Sequence, residues 1–211
     1  MEKKDPRYQA YIQILKEELI PAMGCTEPIA LAYAAAVARK TLGEMPDKVV
    51  VEASGSIIKN VKSVIVPNTG HLKGINAAAA AGIVAGDPDK KLEVIATVSQ
   101  EQIRQMKQFM EEVPIQVVHM EDGCTFDIIV TVFSGKSYAK VRIANFHTNI
   151  VLIEKNGEVL KSEAVSDDSE EGLTDRTLLD MEHIWDFATT VDVNDVKEIL
   201  NPQIAFNVAI A

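Results

Sequence analysis

The sequence predicts an α+β protein in which an Ala-rich helical body is interrupted by a β-rich α+β subdomain. Three observations carry this. Two Ala-dense apolar stretches, 29–38 and 75–84, read as buried helices. Four β-branched segments follow one another between 115 and 155 without a helix between them. The order along the chain is helical, mixed, then helical again.

Residues 8–19 place Tyr8, Tyr11, Ile12, Leu15 and Leu19 at helical spacing. A second helix runs over about 28–41. Pro28 suits its first turn, Thr26 or Glu27 can cap it, and its alanines allow close helix–helix contact. Residues 48–54 alternate and are β-branched, so they read as a strand. Residues 57–66 are less regular, and 61–66 read as a short strand or an irregular lead-in. Pro67-Asn68-Thr69-Gly70 is a turn by composition, and a helix over 75–84 ends at Gly86-Asp87-Pro88. Residues 92–98 read as a strand and 101–112 as a charged amphipathic helix. Strands follow at 115–119, 126–134, 137–144 and 149–155, with hairpin signals at Ser134-Gly135-Lys136 and Asn156-Gly157. Residues 165–175 are acidic and polar, and 176–189 and 193–200 return to helix. The expected division is a helical body over 1–89, an α+β insert over 90–163, and an acidic loop with helices rejoining the body over 164–211.

With 211 residues the chain can form one large domain or two small ones, each with a real core. A net charge of -10 disfavours nucleic acid or an anionic membrane as partner. No stretch reaches the roughly 18 apolar residues of a membrane helix, and the N-terminus lacks a signal-peptide core. Two cysteines do not make a disulfide framework, so a reducing cytoplasm is the natural setting. The apolar run 204–211 has no stop signal, which suggests the N-terminal part of a longer polypeptide; a short terminal helix packed on the domain is the alternative.

Cys25 is the leading candidate for chemistry. It lies in Gly24-Cys25-Thr26-Glu27-Pro28, in the turn ahead of an apolar helix, where the helix dipole favours thiolate over thiol. A thiolate is what a metal or cluster iron needs; the bland alternative is a small buried residue. Cys124, about a hundred residues away, reads as a strand-end hydrophobe. In the loop 66–74, Asn68, Thr69 and Gly70 precede a helix, with Lys73 as an added charge, and such geometry suits a carboxylate. An ordinary strand–turn–helix connection explains it equally well. His147, within Asn145-Phe146-His147-Thr148-Asn149, can act as acid, base or hydrogen-bonder, although a self-satisfied turn is the simpler account. His71, His119 and His183 show no metal-ligand spacing. The run Asp167, Asp168, Glu170, Glu171 lacks the pattern of a calcium loop.

Taken together, Gly24-Cys25-Thr26-Glu27-Pro28-Ile29-Ala30, Val66-Pro67-Asn68-Thr69-Gly70 with Lys73-Gly74, and His147-Thr148-Asn149-Ile150 resemble the L-cysteine desulfidase family, related to the alpha chain of iron–sulfur L-serine dehydratases. The resemblance covers essentially the whole chain as the N-terminal half of a longer protein. It implies a 4Fe–4S cluster held by three cysteines, with Cys25 as one ligand and the others in a missing C-terminal half or a second subunit of a homodimer. It also implies elimination from L-cysteine or L-serine to give pyruvate and ammonia. Glu27, Lys73 and His147 are then the expected catalytic groups, and Asn68, Thr69, Gly70, Thr148 and Asn149 the expected substrate contacts. The competing reading is a non-catalytic small-molecule-binding or regulatory module in which Cys25 is structural.

Overall fold

Apolar residues at every second position of β1, β3 and β4 build one mixed sheet. In a computed structural model, which describes residues 1–20, 22, 24–165 and 173–210, six strands lie side by side. They are β1 (Lys48–Ser54), β2 (Ile115–Met120), β3 (Asp127–Ser134), β4 (Ser137–Ala144), β5 (Ile150–Lys155) and β6 (Glu158–Ser162), in the order β2-β1-β3-β4-β5-β6. β1 and β2 are parallel and every other pairing is antiparallel. Val49, Val51 and Ala53 of β1, Ile128, Val130 and Val132 of β3, and Ala139, Val141 and Ile143 of β4 are buried on one face. A period of two requires this of any strand with one covered side. Asn156 and Gly157 both adopt positive φ, 51° and 85°, the combination a type I′ turn needs between β5 and β6.

Helices cover the apolar face. α1 (Pro6–Glu18) belongs to a separate unit described below. α2 (Thr26–Leu42) packs on β3 and β4, and α4 (Gly74–Ala85) packs on α2. Their alanines, Ala30 to Ala36 on α2 and Ala77 to Ala81 on α4, are buried, so the two backbones run close together. α3 (Gly55–Val61) follows β1 directly. Ser54 caps it by accepting the Ile57 N–H and donates its own hydroxyl to the Thr125 carbonyl at 2.7 Å. α5 (Gln100–Glu112) starts at a reciprocal capping box between Ser99 and Gln102 and supplies the crossover that parallel pairing of β1 and β2 demands.

Two expectations are corrected, and one stretch left without an element is assigned. Residues 90–163 do not form a lobe of their own, because β1 lies between β2 and β3 in the same sheet. Residues 92–98 form no strand: a 3-10 helix, Pro88–Glu93, leads into turns, and the buried Val94 and Ile95 give an apolar pattern without a ladder partner. Residues 55–61 are helical, with Ile57 and Val61 buried at a spacing of four.

The chain divides into two units, Ala22–Asp167 and Met1–Pro21 with Asp168–Ala211. The closing helices therefore join α1 and not the body over 22–89. The acidic run Asp167, Asp168, Glu170 and Glu171 lies outside the described residues. The second unit contains α1, a 3-10 turn Arg176–Leu178, α6 (Met181–Thr190) and α7 (Val193–Ile210). Its small core is Tyr8, Tyr11, Ile12, Ile14, Phe187 and Val196. The Phe187 ring meets Tyr8 and Tyr11 edge-on at 5.5 and 5.3 Å. Arg176 bridges Glu17 at 2.7 Å and Glu18 at 2.8 Å, and Thr174 donates its hydroxyl to Glu17.

Burial opposes ionisation of Glu17, but the bonds from Arg176 and Thr174 prevail and bring its carboxyl down to about 2 from an ordinary 4.5. A group depressed in the folded state stabilises it above its unfolded value, and that contribution is lost as pH falls. Acid titration followed by circular dichroism is therefore expected to show Glu17→Gln losing less stability than the parent between about pH 4.5 and 2. An identical acid limb in the variant would refute this role for Glu17.

Candidate functional site

The site grows from the first turn of α2. Cys25 is the residue that starts the helix, with extended backbone and no side-chain capping bond, so Thr26 and Glu27 lie inside the first turn and are not caps. Cys25 is an exposed residue. Its thiol donates to Glu27 Oε2 at 3.2 Å, and the other carboxylate oxygen, Oε1, accepts from Asn60 Nδ2 of α3 at 3.1 Å. Burial, the bond to Glu27 and the charge of Glu27 all push the Cys25 thiol up. This corrects the expectation that the helix dipole sets its ionisation: burial and a carboxylate in contact together outweigh a partial charge. Burial opposes the charge on Glu27. The Cys25 thiol, the residue's own N–H, Asn60 and the charge on His147 nevertheless hold it below the usual carboxylate value.

His147 lies in the loop between β4 and β5, half-buried, with its ring centroid 4.4 Å from that of Phe126. Burial pushes its pKa below the ordinary histidine value, against the opposing pull of Glu27. The imidazole is therefore neutral at neutral pH and lies within the electrostatic reach of an ionised carboxylate.

The 66–74 loop comes up beside this cluster. A Cβ placed on Gly24 would stand 3.3 Å from Pro67 Cγ, which puts the loop against the residue preceding Cys25. Its side chains serve the fold, however. Asn68 donates to the carbonyls of Ile95 and Ala96 at 3.0 and 3.2 Å. Thr69 is fully buried and donates to the Val66 carbonyl at 2.7 Å. Gly70 faces Ile103 of α5. Lys73 is the residue before α4 and forms an isolated bridge with Ile65. Of the two residues after His147, Thr148 is half-buried, and Asn149 donates to the Ala144 carbonyl at 3.0 Å.

The structure thus brings together Cys25, Glu27 and His147. It ties the amide nitrogens of Asn68 and Asn149 and the buried Thr69 hydroxyl to backbone carbonyls, with Asn68 itself still exposed. Asn60 and Phe126 belong to the cluster although neither was singled out from sequence. The i,i+4 pair Ile57 and Val61 after Ser54 is the signal that would have placed Asn60 on a helix. For a 4Fe–4S cluster the donor set is incomplete. Cys25 offers one accessible thiol, and among the described residues no group of three or more His, Cys, Asp or Glu is arranged to hold a metal.

The chain is similar along its whole length to proteins named UPF0597 protein. It is 55% identical over 211 residues to one from Desulfitobacterium hafniense (strain Y51), covering 100% of this chain and 49% of that protein. It is 42% identical over 206 residues to one from Treponema denticola, 97% of this chain and 48% of that protein. It is 41% identical over 208 residues to one from Fusobacterium nucleatum, 98% and 49% respectively. The chain spans about half the length of the curated relatives it matches. These names state neither a desulfidase nor a dehydratase activity. No protein-family profile and no solved structure matches the chain.

Proposed function

We propose that Cys25, Glu27, Asn60 and His147 are this chain's share of a site that removes the β-substituent of a small amino acid, L-cysteine or L-serine, and leads to pyruvate and ammonia. The observation that supports this reading is an exposed cysteine hydrogen-bonded to an ionised carboxylate at one helix start, with a half-buried imidazole from the β4–β5 loop within that carboxylate's electrostatic reach. Elimination needs a base for the α-proton, and a neutral imidazole near physiological pH suits that task. His147 takes the proton at a ring nitrogen, and the Glu27 carboxylate favours the imidazolium so formed. Asn60 fixes the carboxylate from the far side. The β-substituent leaves with a proton, as hydrogen sulfide from cysteine or water from serine, and the enamine left behind tautomerises and is hydrolysed to pyruvate and ammonia.

Cys25 is the ligand this chain would give to a 4Fe–4S cluster, with the other ligands coming from further chain or from a second copy in a homodimer. When bound, such a cluster supplies a Lewis-acid iron for the departing group. Two free thiols suit a reducing cytoplasm. The test is anaerobic purification of the complete polypeptide, iron and sulfide analysis, and a pyruvate assay with both amino acids. Pyruvate is expected from at least one of them, with iron lost in Cys25→Ala. Iron-replete protein that forms no pyruvate from either would overturn the reading in favour of a non-catalytic binding module.

A further inference from the structure

We propose that Asp127 and Arg142 are positioning residues that hold the loop carrying His147; the inference rests on the reading of His147 as the base. Asp127 is fully buried, at 0% exposure, and a carboxylate taken out of water needs full compensation. Arg142 supplies it as a fork, Nε to Oδ1 at 2.9 Å and Nη2 to Oδ2 at 2.6 Å. The Cys124 thiol adds a contact to Oδ2 at 3.5 Å.

The pair sits where β3 begins and β4 ends, since Asp127 pairs with Ala144 across the ladder. The next residue on each strand leads into the site. The Phe126 carbonyl accepts the Cys124 thiol at 3.0 Å and the Asn145 N–H at 2.9 Å. The Phe126 ring lies against His147. The loop is folded back on Ala144 through the Phe146 N–H at 2.8 Å and the Asn149 side chain at 3.0 Å. Asn145 turns with a φ of 67° to make this possible. An unbroken series of short contacts therefore joins Asp127 to the imidazole. Stability alone does not call for such a pair, because apolar replacements of a buried ion pair are often neutral or stabilising. What apolar side chains cannot do is fix Phe126 and Asn145 in one orientation.

The experiment is proton NMR of the histidine side chains in this protein, with His147 assigned through His147→Gln. In the parent, the His147 ring protons are expected to be shifted upfield by the Phe126 ring. In Asp127→Asn that shift is expected to disappear, and the His147 pKa to rise towards the ordinary 6.5 as burial is relaxed, with Glu27 the charged group that still faces it. In the complete polypeptide, kcat is expected to fall by about 10²-fold with little change in KM. Arg142→Lys keeps the charge but loses the fork, and carries the test if Asp127→Asn does not fold; a smaller change of the same sign is expected. A folded variant with the parent's ring-current shift and titration overturns the inference. Full turnover in His147→Gln would instead overturn the assignment of the base, while the NMR result still decides the positioning.

Discussion

On the proposed elimination, His147→Gln is expected to lower kcat for pyruvate formation by the complete polypeptide about 10²–10⁴-fold, the usual contribution of a positioned general base. Circular dichroism should stay unchanged, because His147 is half-buried in a loop and not part of the sheet core. The pH profile gives an independent reading. Only the neutral imidazole accepts a proton, and burial lowers the His147 pKa, so the acid limb of kcat/KM falls below the ordinary 6.5. The charge on Glu27 raises that pKa against burial, so Glu27→Gln is expected to move the acid limb to still lower pH. An acid limb that ignores both substitutions would mean that another group titrates.

Gly82→Ala is expected to destabilise the unit over 22–167 by about 3 kcal/mol or more, at the upper end of overpacking effects. In an exposed helix the same change would help by about 1 kcal/mol. Here the sign reverses, because a Cβ on Gly82 would stand 2.0 Å from the Ala32 carbonyl oxygen and 2.8 Å from its carbon. These are backbone atoms, so no side chain can swing aside. α2 and α4 must part, and that loosens the dispersion contacts of the buried Ala77 to Ala81 and Ile83. A fall in Tm of about 10 °C follows from usual unfolding entropies. Asn76→Ala, on the exposed side of α4, is the control and should change Tm little. A Gly82→Ala protein that melts with the parent would show that the helices can move apart without loss.

Where the pattern of residues is local, the sequence alone places the elements well. Strands 48–54 and 137–144 have the bounds read from alternation, and the Asn156-Gly157 turn joins two strands as its composition demands. What alternation does not carry is partner choice. β1 is separated by some sixty residues from β2, and nothing in Lys48 to Ser54 states that it pairs in parallel with Ile115 to Met120. Alternation alone therefore predicts a separate β-rich lobe. Residues 92–98 show the converse failure: Val94 and Ile95 are buried by helices around a turn, and burial alone writes an apolar pattern. At the site, the identities of Cys25, Glu27 and His147 stand out by their chemistry. Asn60, Phe126, Asp127 and Arg142 do not, because each matters through a neighbour that is distant in sequence.

Parallel pairing of β1 with β2 has one last consequence. Both strands leave the sheet at the same end, where β3 also begins and β4 also stops. Asn60 after β1, Phe126 before β3 and His147 after β4 therefore share one rim. The opposite rim holds the turns Gly135-Lys136 and Asn156-Gly157. An eight-residue strand separates the rims by about 25 Å. Extra residues at those two turns would lengthen only surface connections, at a closure cost that grows slowly with length. That rim is the natural place for an affinity tag, a fluorescent label or a grafted peptide that must leave the chemistry undisturbed.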